Sequence, residues 1–178
     1  LNQQDVAVSG MLALGAFEPY QMALFRQIIK PGMTVVDIGA NIGLYSVIAG
    51  KLVGKSGKVF SFEPEKNNYE FLHKNIEVNN LHNVFPNKTA VSNEKSTKNL
   101  FLFSENTGSY SLVDNRKTNV SVPVQTDTLD NLLRQLSTNT ADVIKMDIEG
   151  AEYKAFEGMV QTINTSANLK MMIEFFPD

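Results

Sequence analysis

At 178 residues the chain is long enough for one domain with a substantial core, and 43% hydrophobic and 20% charged residues are ordinary for a globular protein. The net charge of -3 and the absence of any Lys/Arg cluster give no reason to expect a nucleic-acid partner. The sequence has no cysteine, which excludes disulfides and thiolate metal sites, and its apolar runs are too short to span a membrane. A cytoplasmic location is compatible with these features.

Helical and strand-like segments alternate along the first half of the chain. Apolar residues at helical spacing predict three helices, and short apolar runs predict three strands. The helices are predicted at Glu18–Ile29, Ile42–Leu52 and Glu65–Val78. The strands are predicted at Thr34–Ile38, at Val59–Phe62 and within Asn83–Val91.

The second half begins with short strands and returns to the same alternation. In chain order we predict strands Asn99–Phe103 and Ser109–Val113, a strand through Val120 to Val124, a helix from Leu129 to Leu136, strand Asp142–Ile148, helix Ala151–Ile163 and strand Leu169–Phe176. Strands that alternate with helices favour a mostly parallel sheet. The predicted fold is therefore α/β, Rossmann-like and doubly wound, with five sheet strands and an inserted antiparallel hairpin.

Residues 37–43 (D-I-G-A-N-I-G), at the end of the first strand, look like a dinucleotide-binding loop but differ at one position. The fingerprint G-x-G-x-x-G needs a second glycine so that the backbone can approach a pyrophosphate, and Asn41 stands there. The carboxylate of Asp37 disfavours a diphosphate and suits the ammonium of a methionine moiety. Gly39 and Gly43 allow a tight turn, so an ordinary strand-to-helix turn is the alternative.

The second strand ends at Glu63-Pro64. A carboxylate in this position can accept hydrogen bonds from both hydroxyls of a ribose. Pro64 has no N–H group and therefore ends the strand. The alternative is that Glu63 only stabilises the start of the helix near Glu65.

A lysine interrupts the apolar strand Asp142–Ile148. Strand alternation places Lys145 and Asp147 on one face, and Asp147 and Glu149 at the carboxyl end. A buried lysine needs a carboxylate partner, so a structural pair of Lys145 with Asp147 or with Glu174 is one interpretation. The other is that these groups orient or deprotonate a substrate hydroxyl, and the two are compatible.

Together, seven motifs in chain order resemble the FkbM-like family of class I S-adenosylmethionine-dependent methyltransferases. They are Glu18-Pro19, D-x-G-A-N-x-G (37–43), G-x-V-x-x-F-E-P (57–64), N-I-x-x-N (75–79), A-V-S (90–92), T-L-D (128–130) and K-x-D-I-E-G-A-E (145–152). The last motif is the most specific one. The resemblance extends from about Gly15 to the end of the chain.

The resemblance implies a cofactor, S-adenosyl-L-methionine, that lies across the carboxyl edge of the sheet. It also implies methyl transfer to a hydroxyl of a small molecule or carbohydrate. Residues expected around the methionine end of the cofactor are Asp37, Gly39, Ala40, Asn41 and Gly43. Residues expected around its nucleoside are Glu63 and Pro64 at the ribose, and Thr89 and Ala90 at the adenine.

The candidate catalytic residues are Lys145, Asp147, Glu149 and Glu174. A general base near the acceptor hydroxyl would help a weak nucleophile, which favours Asp147 or Glu149 with Glu174 behind them. The same three carboxylates suit a divalent cation, but we predict no metal site. The loop Glu105–Ser111 is interpreted either as a mobile lid or as a plain hairpin loop.

We expect a helical lead-in over residues 1–33 and the methyltransferase domain over 34–178. Class I domains usually have seven strands, so the last two are expected after Phe176, and we expect the chain to be a piece of a longer polypeptide. The residues 147–150 (D-I-E-G) lack the proline-rich run common in nucleobase methyltransferases, which again argues against nucleic acid. Two alternatives are a nicotinamide-dependent oxidoreductase and a non-catalytic nucleoside-binding module.

Overall fold

The computed structural model describes residues 18–102, 110–114 and 120–175. The helices are α1 (Pro19–Ile28), α2 (Leu44–Val53), α3 (Lys66–Val78), α4 (Leu129–Gln135), α5 (Glu152–Glu157) and α6 (Val160–Thr165). The strands are β1 (Thr34–Ile38), β2 (Lys58–Phe62), β3 (Val84–Asn87), β4 (Ala90–Val91), β5 (Ser96–Leu102), β6 (Tyr110–Ser111), β7 (Ser121–Asp127), β8 (Val143–Met146) and β9 (Lys170–Ile173).

Five parallel strands form the main sheet in the order β3-β2-β1-β8-β9. The strand order reverses between β1 and β8, where Val36 lies beside Ile144 on one side and Phe60 on the other. In sheets of this kind, ligands bind at the carboxyl ends of the strands beside the reversal. The prediction of a Rossmann-like α/β fold with five strands in the sheet is confirmed.

Helices cover both faces of this sheet because its strands alternate between two apolar clusters. Val35 faces the cluster that contains Phe25 of α1 and Tyr45 of α2. Val36 faces the opposite cluster, which includes residues of α4 and α5. Helix α1, which belongs to the predicted lead-in, therefore packs into the same core as the sheet.

The predicted inserted hairpin is in fact part of a second sheet. This sheet has the order β4-β7-β5-β6, with β4 parallel to β7 and the other pairs antiparallel. The strand predicted within Asn83–Val91 splits into β3 and β4, which belong to different sheets. Most of the predicted loop Glu105–Ser111 lies outside the described residues, and Ser111 belongs to β6.

The single helix predicted over Ala151–Ile163 is also wrong, since it breaks at Gly158 into α5 and α6. A Cβ atom on Gly158 would lie 2.0 Å from the carbonyl oxygen of Ser92, which comes directly after β4. The carbonyl of Gly158 also accepts a hydrogen bond from the N–H of Asp130 at the start of α4. Close contact with two other segments therefore takes this backbone out of the helix.

Within the described segments, no helix is long and apolar enough to cross a membrane.

Candidate functional site

A cavity of about 280 Å³ lies at the carboxyl edge of the main sheet, where the strand order reverses. Its inner wall comes from the ends of β1, β2 and β8, and its outer wall from the second sheet. The strand ends contribute Gly39, Ala40, Asn41, Glu63, Pro64, Asp147 and Glu149. The second sheet and the residues next to it contribute Ala90, Val91, Leu100, Tyr110, Ser111 and Leu112.

The backbone N–H groups of the loop after β1 all donate hydrogen bonds to other groups of the protein. Three of them bond the end of β2: Gly39 and Ala40 donate to the carbonyl of Phe62 at 3.0 Å each, and Asn41 donates to the Glu63 carboxylate at 2.8 Å. The other two bond within the loop, since Ile42 donates to the Asn41 side chain at 2.7 Å and Gly43 donates to the carbonyl of Ala40 at 2.8 Å. A dinucleotide-binding loop instead offers such N–H groups to a pyrophosphate. The loop is therefore not built to bind a diphosphate.

The carboxylate of Glu63 is fixed by two backbone donors and lines the cavity. Oε2 accepts from the N–H of Asn41 at 2.8 Å, and Oε1 accepts from the N–H of Glu65 at 2.9 Å. Burial raises the pKa of the Glu63 carboxyl to about 7, although these two hydrogen bonds act in the opposite direction. The side-chain cap at the start of α3 is Glu65, which accepts from the N–H of Asn68, while Glu63 accepts from the N–H of this capping residue and so contacts the helix start as well as the cavity.

The carboxylate of Asp37 lies fully buried just below the cavity. Oδ2 accepts a 2.6 Å hydrogen bond from the hydroxyl of Ser46, which also contacts the hydroxyl of Ser61 at 2.7 Å. Oδ1 has no hydrogen-bond partner within the described residues. Burial raises the pKa of Asp37, and the ammonium of Lys145 opposes this shift.

Lys145 pairs with Asp147, which decides between the two ion pairs predicted for it. The Nζ–Oδ2 distance is 3.3 Å, and the lysine side chain is 8% exposed while that of Asp147 is 28% exposed. Burial disfavours the ammonium, but the carboxylates of Asp147 and Asp37 outweigh it and raise the pKa of Lys145. Nζ also lies 4.9 Å from the ring centroid of Tyr45.

Glu18 and Tyr45 are among the residues that line the cavity and that we did not predict as site residues. The Tyr45 hydroxyl donates to Oε2 of Glu18, and its ring packs edge-on against Phe25 at 4.8 Å. Burial and the Glu18 carboxylate raise the pKa of Tyr45. In the sequence, the Glu18-Pro19 motif could have indicated Glu18, whereas nothing distinguishes Tyr45 from an aromatic residue of the core.

Glu174 follows β9 and also lines the cavity. Burial raises the pKa of its carboxyl, and the carboxylates of Asp147 and Glu18 raise it further. Glu149 lines the cavity from a left-handed backbone conformation with φ 54°. Asp147, Glu149 and Glu174 do not form a metal-ligand set, because the described residues contain no group of three or more side chains arranged to hold a metal ion.

Three of the residues predicted for the cofactor are absent from the walls of this cavity. Asp37 is buried beneath it. Gly43, with φ 90°, faces α3, where an added Cβ would lie 2.5 Å from Leu72. Thr89 precedes β4 and is half-buried elsewhere, while its neighbour Ala90 does line the cavity.

A family comparison decides the class of protein to which this site belongs. The family model described as the Methyltransferase FkbM domain matches residues 37–178. The chain belongs to this FkbM methyltransferase family. Membership confirms S-adenosylmethionine as the cofactor and does not support a nicotinamide-dependent oxidoreductase.

Relatives of the FkbM chain match it over shorter stretches. Ribosomal RNA large subunit methyltransferase E of Acinetobacter baumannii is 48% identical over 52 residues, which are 29% of this chain and 24% of the relative. The Probable cobalt-precorrin-6B C(15)-methyltransferase (decarboxylating) of Sulfurisphaera tokodaii is 38% identical over 63 residues, which are 35% of this chain and 33% of the relative. The matched segments thus span a third or less of these relatives.

Among solved structures, the fold of the FkbM chain is similar to that of an rRNA methylase from Streptococcus thermophilus. The TM-score is 0.51 at 12% identity, and the match covers 85% of this chain and 67% of the other. This similarity supports the class I methyltransferase fold.

Proposed function

We propose that this protein is an S-adenosylmethionine-dependent O-methyltransferase that acts on a hydroxyl of a neutral small molecule or carbohydrate. The observation that carries the proposal is the paired arrangement of Glu63 and the loop 39–43. A fixed carboxylate faces the cavity, while every backbone N–H of the loop is already bonded. Such a site favours a ligand with hydroxyl donors and a positive centre over a diphosphate.

The residues present fit this cofactor. Glu63 would accept hydrogen bonds from the ribose hydroxyls through lone pairs that Asn41 and Glu65 leave free. The unpartnered Oδ1 of Asp37 would stabilise the positively charged methionine end from beneath Gly39. Gly39, Ala40 and Asn41 would shape the cavity wall at that end, while Pro64 and Ala90 would contact the nucleoside.

When bound, S-adenosylmethionine would supply the methyl group and leave as S-adenosylhomocysteine. The protein has to align the acceptor oxygen and remove its proton. Glu174 is the proposed base because it lines the cavity while Lys145 pairs with Asp147. The residue is exposed, and partial desolvation together with the neighbouring carboxylates of Asp147 and Glu18 raises the pKa of its carboxyl.

Asp147 and Lys145 would orient the acceptor rather than carry the proton. Asp147 is engaged by the Lys145 ammonium at 3.3 Å, so its carboxylate is held in place. Lys145 would also partly offset the negative charge of the site during transfer. Glu149, held at the turn after β8, would also contact the acceptor.

A second candidate acceptor is RNA, because curated relatives include a ribosomal RNA methyltransferase. The charge of the site argues against it. The carboxylates that line the cavity are those of Glu18, Glu63, Asp147, Glu149 and Glu174, and Lys145 is its single lining cation among the described residues. A site with this excess of carboxylates repels phosphate groups, and the chain as a whole carries a net charge of -3.

Calorimetric titration of the chain with S-adenosylhomocysteine and, separately, with NAD tests the cofactor. We expect binding of S-adenosylhomocysteine and none of NAD, and the opposite result would reject the proposal. The acceptor is then tested by incubating the chain with S-adenosylmethionine and methyl glycosides, phenols or a ribosomal RNA fragment. The readout is the release of S-adenosylhomocysteine. Methylation of the RNA alone would replace the small-molecule proposal, whereas cofactor binding without transfer to any acceptor would favour a non-catalytic nucleoside-binding module.

A further inference from the structure

We infer that Glu18 recognises a second hydroxyl of the methyl acceptor, besides the one that is methylated. The inference rests on the proposed O-methyl transfer and narrows its substrate class to a molecule with two or more hydroxyls, such as a sugar ring. Glu18 lines the cavity, although it precedes α1 and lies far in sequence from the strand ends.

The backbone of Glu18 directs its side chain at a conformational cost. Its φ of 43° and ψ of 55° lie in the left-handed region, which residues other than glycine seldom adopt. Pro19 follows at once as the first residue of α1, and the carbonyl of Glu18 accepts from the N–H of Met22 at 2.9 Å. Strain of this kind persists where the surroundings impose it and is concentrated at binding sites.

One oxygen of the Glu18 carboxylate is fixed and the other is available. Oε2 accepts from the hydroxyl of Tyr45, whose buried ring is held edge-on by Phe25. Oε1 accepts no hydrogen bond from any residue that the structure describes. A carboxylate that is oriented through one oxygen and open at the other suits a ligand that donates a hydrogen bond.

Glu18 lies on the side of the cavity that holds the proposed catalytic groups. Tyr45 connects it to Lys145, which pairs with Asp147. The Glu18 carboxylate is also close enough to raise the pKa of Glu174. The nucleoside side is instead marked by Glu63, so we assign Glu18 to the acceptor.

An acceptor with two hydroxyls satisfies this arrangement. One hydroxyl would give up its proton to Glu174 as its oxygen is methylated, and the other would donate a hydrogen bond to Oε1 of Glu18. A neutral donor is required, since a phosphate or carboxylate on the acceptor would face Glu18 with like charge. The second hydroxyl therefore sets the affinity and the position of the acceptor.

The first half of the test uses S-adenosylhomocysteine as the probe and needs no acceptor. Calorimetric titration compares the wild-type chain with Glu18→Gln and Glu63→Gln. We expect the Kd of Glu18→Gln to stay within about twofold of wild type and that of Glu63→Gln to rise about tenfold or more. A tenfold loss in Glu18→Gln would assign Glu18 to the cofactor and overturn the inference.

The second half uses methyl hexopyranosides and their monodeoxy analogues, with S-adenosylhomocysteine release as the readout. For the best acceptor, Glu18→Gln is expected to raise KM about tenfold with kcat within about twofold. For the analogue that lacks the recognised hydroxyl, both proteins should give the same KM. Equal KM values of the two proteins on every acceptor would overturn the inference while leaving the proposed function intact.

Two further variants separate recognition from folding. Tyr45→Phe keeps the ring beside Lys145 but frees Glu18, so it should raise KM for the same acceptor without changing S-adenosylhomocysteine affinity. Glu70→Gln alters an exposed glutamate on α3 and should change neither. If the wild-type chain binds S-adenosylhomocysteine but methylates no glycoside, the sugar acceptor is rejected and the inference is rejected with it.

Discussion

The N–H of Asn41 donates a 2.8 Å hydrogen bond to Oε2 of Glu63, so the loop after β1 is tied to the end of β2. The N–H of Glu65 holds the other oxygen of the same carboxylate at 2.9 Å. Glu63 therefore has its orientation before any ligand arrives, and a bound ribose would not have to order it. Preorganisation of this kind lowers the entropic cost of binding.

Replacement of Glu63 by glutamine should weaken the binding of S-adenosylhomocysteine. The amide has one oxygen, so its NH2 group must face the N–H of either Asn41 or Glu65, and one backbone donor loses its acceptor. We expect the Kd to rise by about tenfold or more, as measured by calorimetry. Glu70→Gln, on the exposed face of α3, is the matched control, and equal Kd values in the two variants would contradict the assignment.

The affinity for S-adenosylhomocysteine should also depend on pH through Glu63. Its pKa of about 7 in the free protein means that the carboxyl is largely protonated below neutral pH. Ribose hydroxyls donate to the ionised form, so binding should strengthen as the pH rises through about 7 and release protons below it. The gain is at most about tenfold per pH unit.

Titrations between about pH 5.5 and about pH 8.5 measure this dependence. The Glu63→Gln variant should lose the inflection near neutral pH. The effect on the stability of the free protein has the opposite sign, because a carboxyl whose pKa in the folded protein exceeds its ordinary value of 4.5 costs stability as it ionises. The free protein should therefore lose stability between about pH 4.5 and 7, and a flat profile would show that Glu63 titrates normally.

Replacement of Lys145 by methionine should destabilise the protein at neutral and higher pH. The lysine is the partner of Asp147, and its ammonium also counters the fully buried carboxylate of Asp37. Removal of one member of a buried pair typically costs about 3 to 5 kcal/mol, and the 28% exposure of Asp147 places the expected loss near about 2 to 3 kcal/mol. Urea unfolding at about pH 8 measures it.

Two controls identify the cause of that loss. Without the lysine, the raised pKa of Asp37 should rise further, so the variant should regain stability as the pH falls and Asp37 takes up a proton. The double variant Lys145→Met with Asp37→Asn should recover much of the loss at about pH 8. Lys66→Met breaks an exposed 4.0 Å pair with Glu70 and should cost less than about 0.5 kcal/mol.

Local pattern was enough to predict the main sheet and the residues at its strand ends. The strand Thr34–Ile38 has the predicted bounds, because it is a short, mostly apolar segment with a glycine directly after it, as a buried parallel strand often is. The second sheet could not be predicted in the same way. Ala90–Val91 pairs with Thr126–Asp127 across more than thirty residues, and no local signal marks two strands as partners.

Motifs also did not separate binding residues from structural ones. In the T-L-D motif, Thr128 caps α4, and Asp130 accepts hydrogen bonds from the N–H groups of Gln161 and Thr162 at the start of α6. Both residues thus stabilise helix ends. Tyr45 looks like any aromatic residue on an apolar helix face, because its contact with Glu18 depends on how α1 packs against α2.

Replacement of Gly39 by alanine should damage both stability and the cofactor site. Gly39 has φ 75°, and an added Cβ would lie 1.9 Å from the carbonyl oxygen of Asp147, a backbone atom that cannot rotate away. The N–H of Asp147 donates to the carbonyl of Ile38 at 3.1 Å, so β1 and β8 would be forced apart at this point. S-adenosylhomocysteine affinity should fall together with stability.

The matched control is Gly54→Ala, which separates the clash from backbone strain. Gly54 also has a positive φ of 66°, with ψ -170°, a region that essentially only glycine adopts, but a Cβ there would meet no atom within 4 Å. We expect Gly54→Ala to cost about 1 to 3 kcal/mol from strain alone and Gly39→Ala about 2 kcal/mol more than that, because strain and clash act together. Urea unfolding gives both values, and Gly54→Ala should keep its S-adenosylhomocysteine affinity. Equal losses in the two variants would mean that β1 and β8 separate at little cost, so the close approach of Gly39 to Asp147 would not be what holds the two sides of the cavity together.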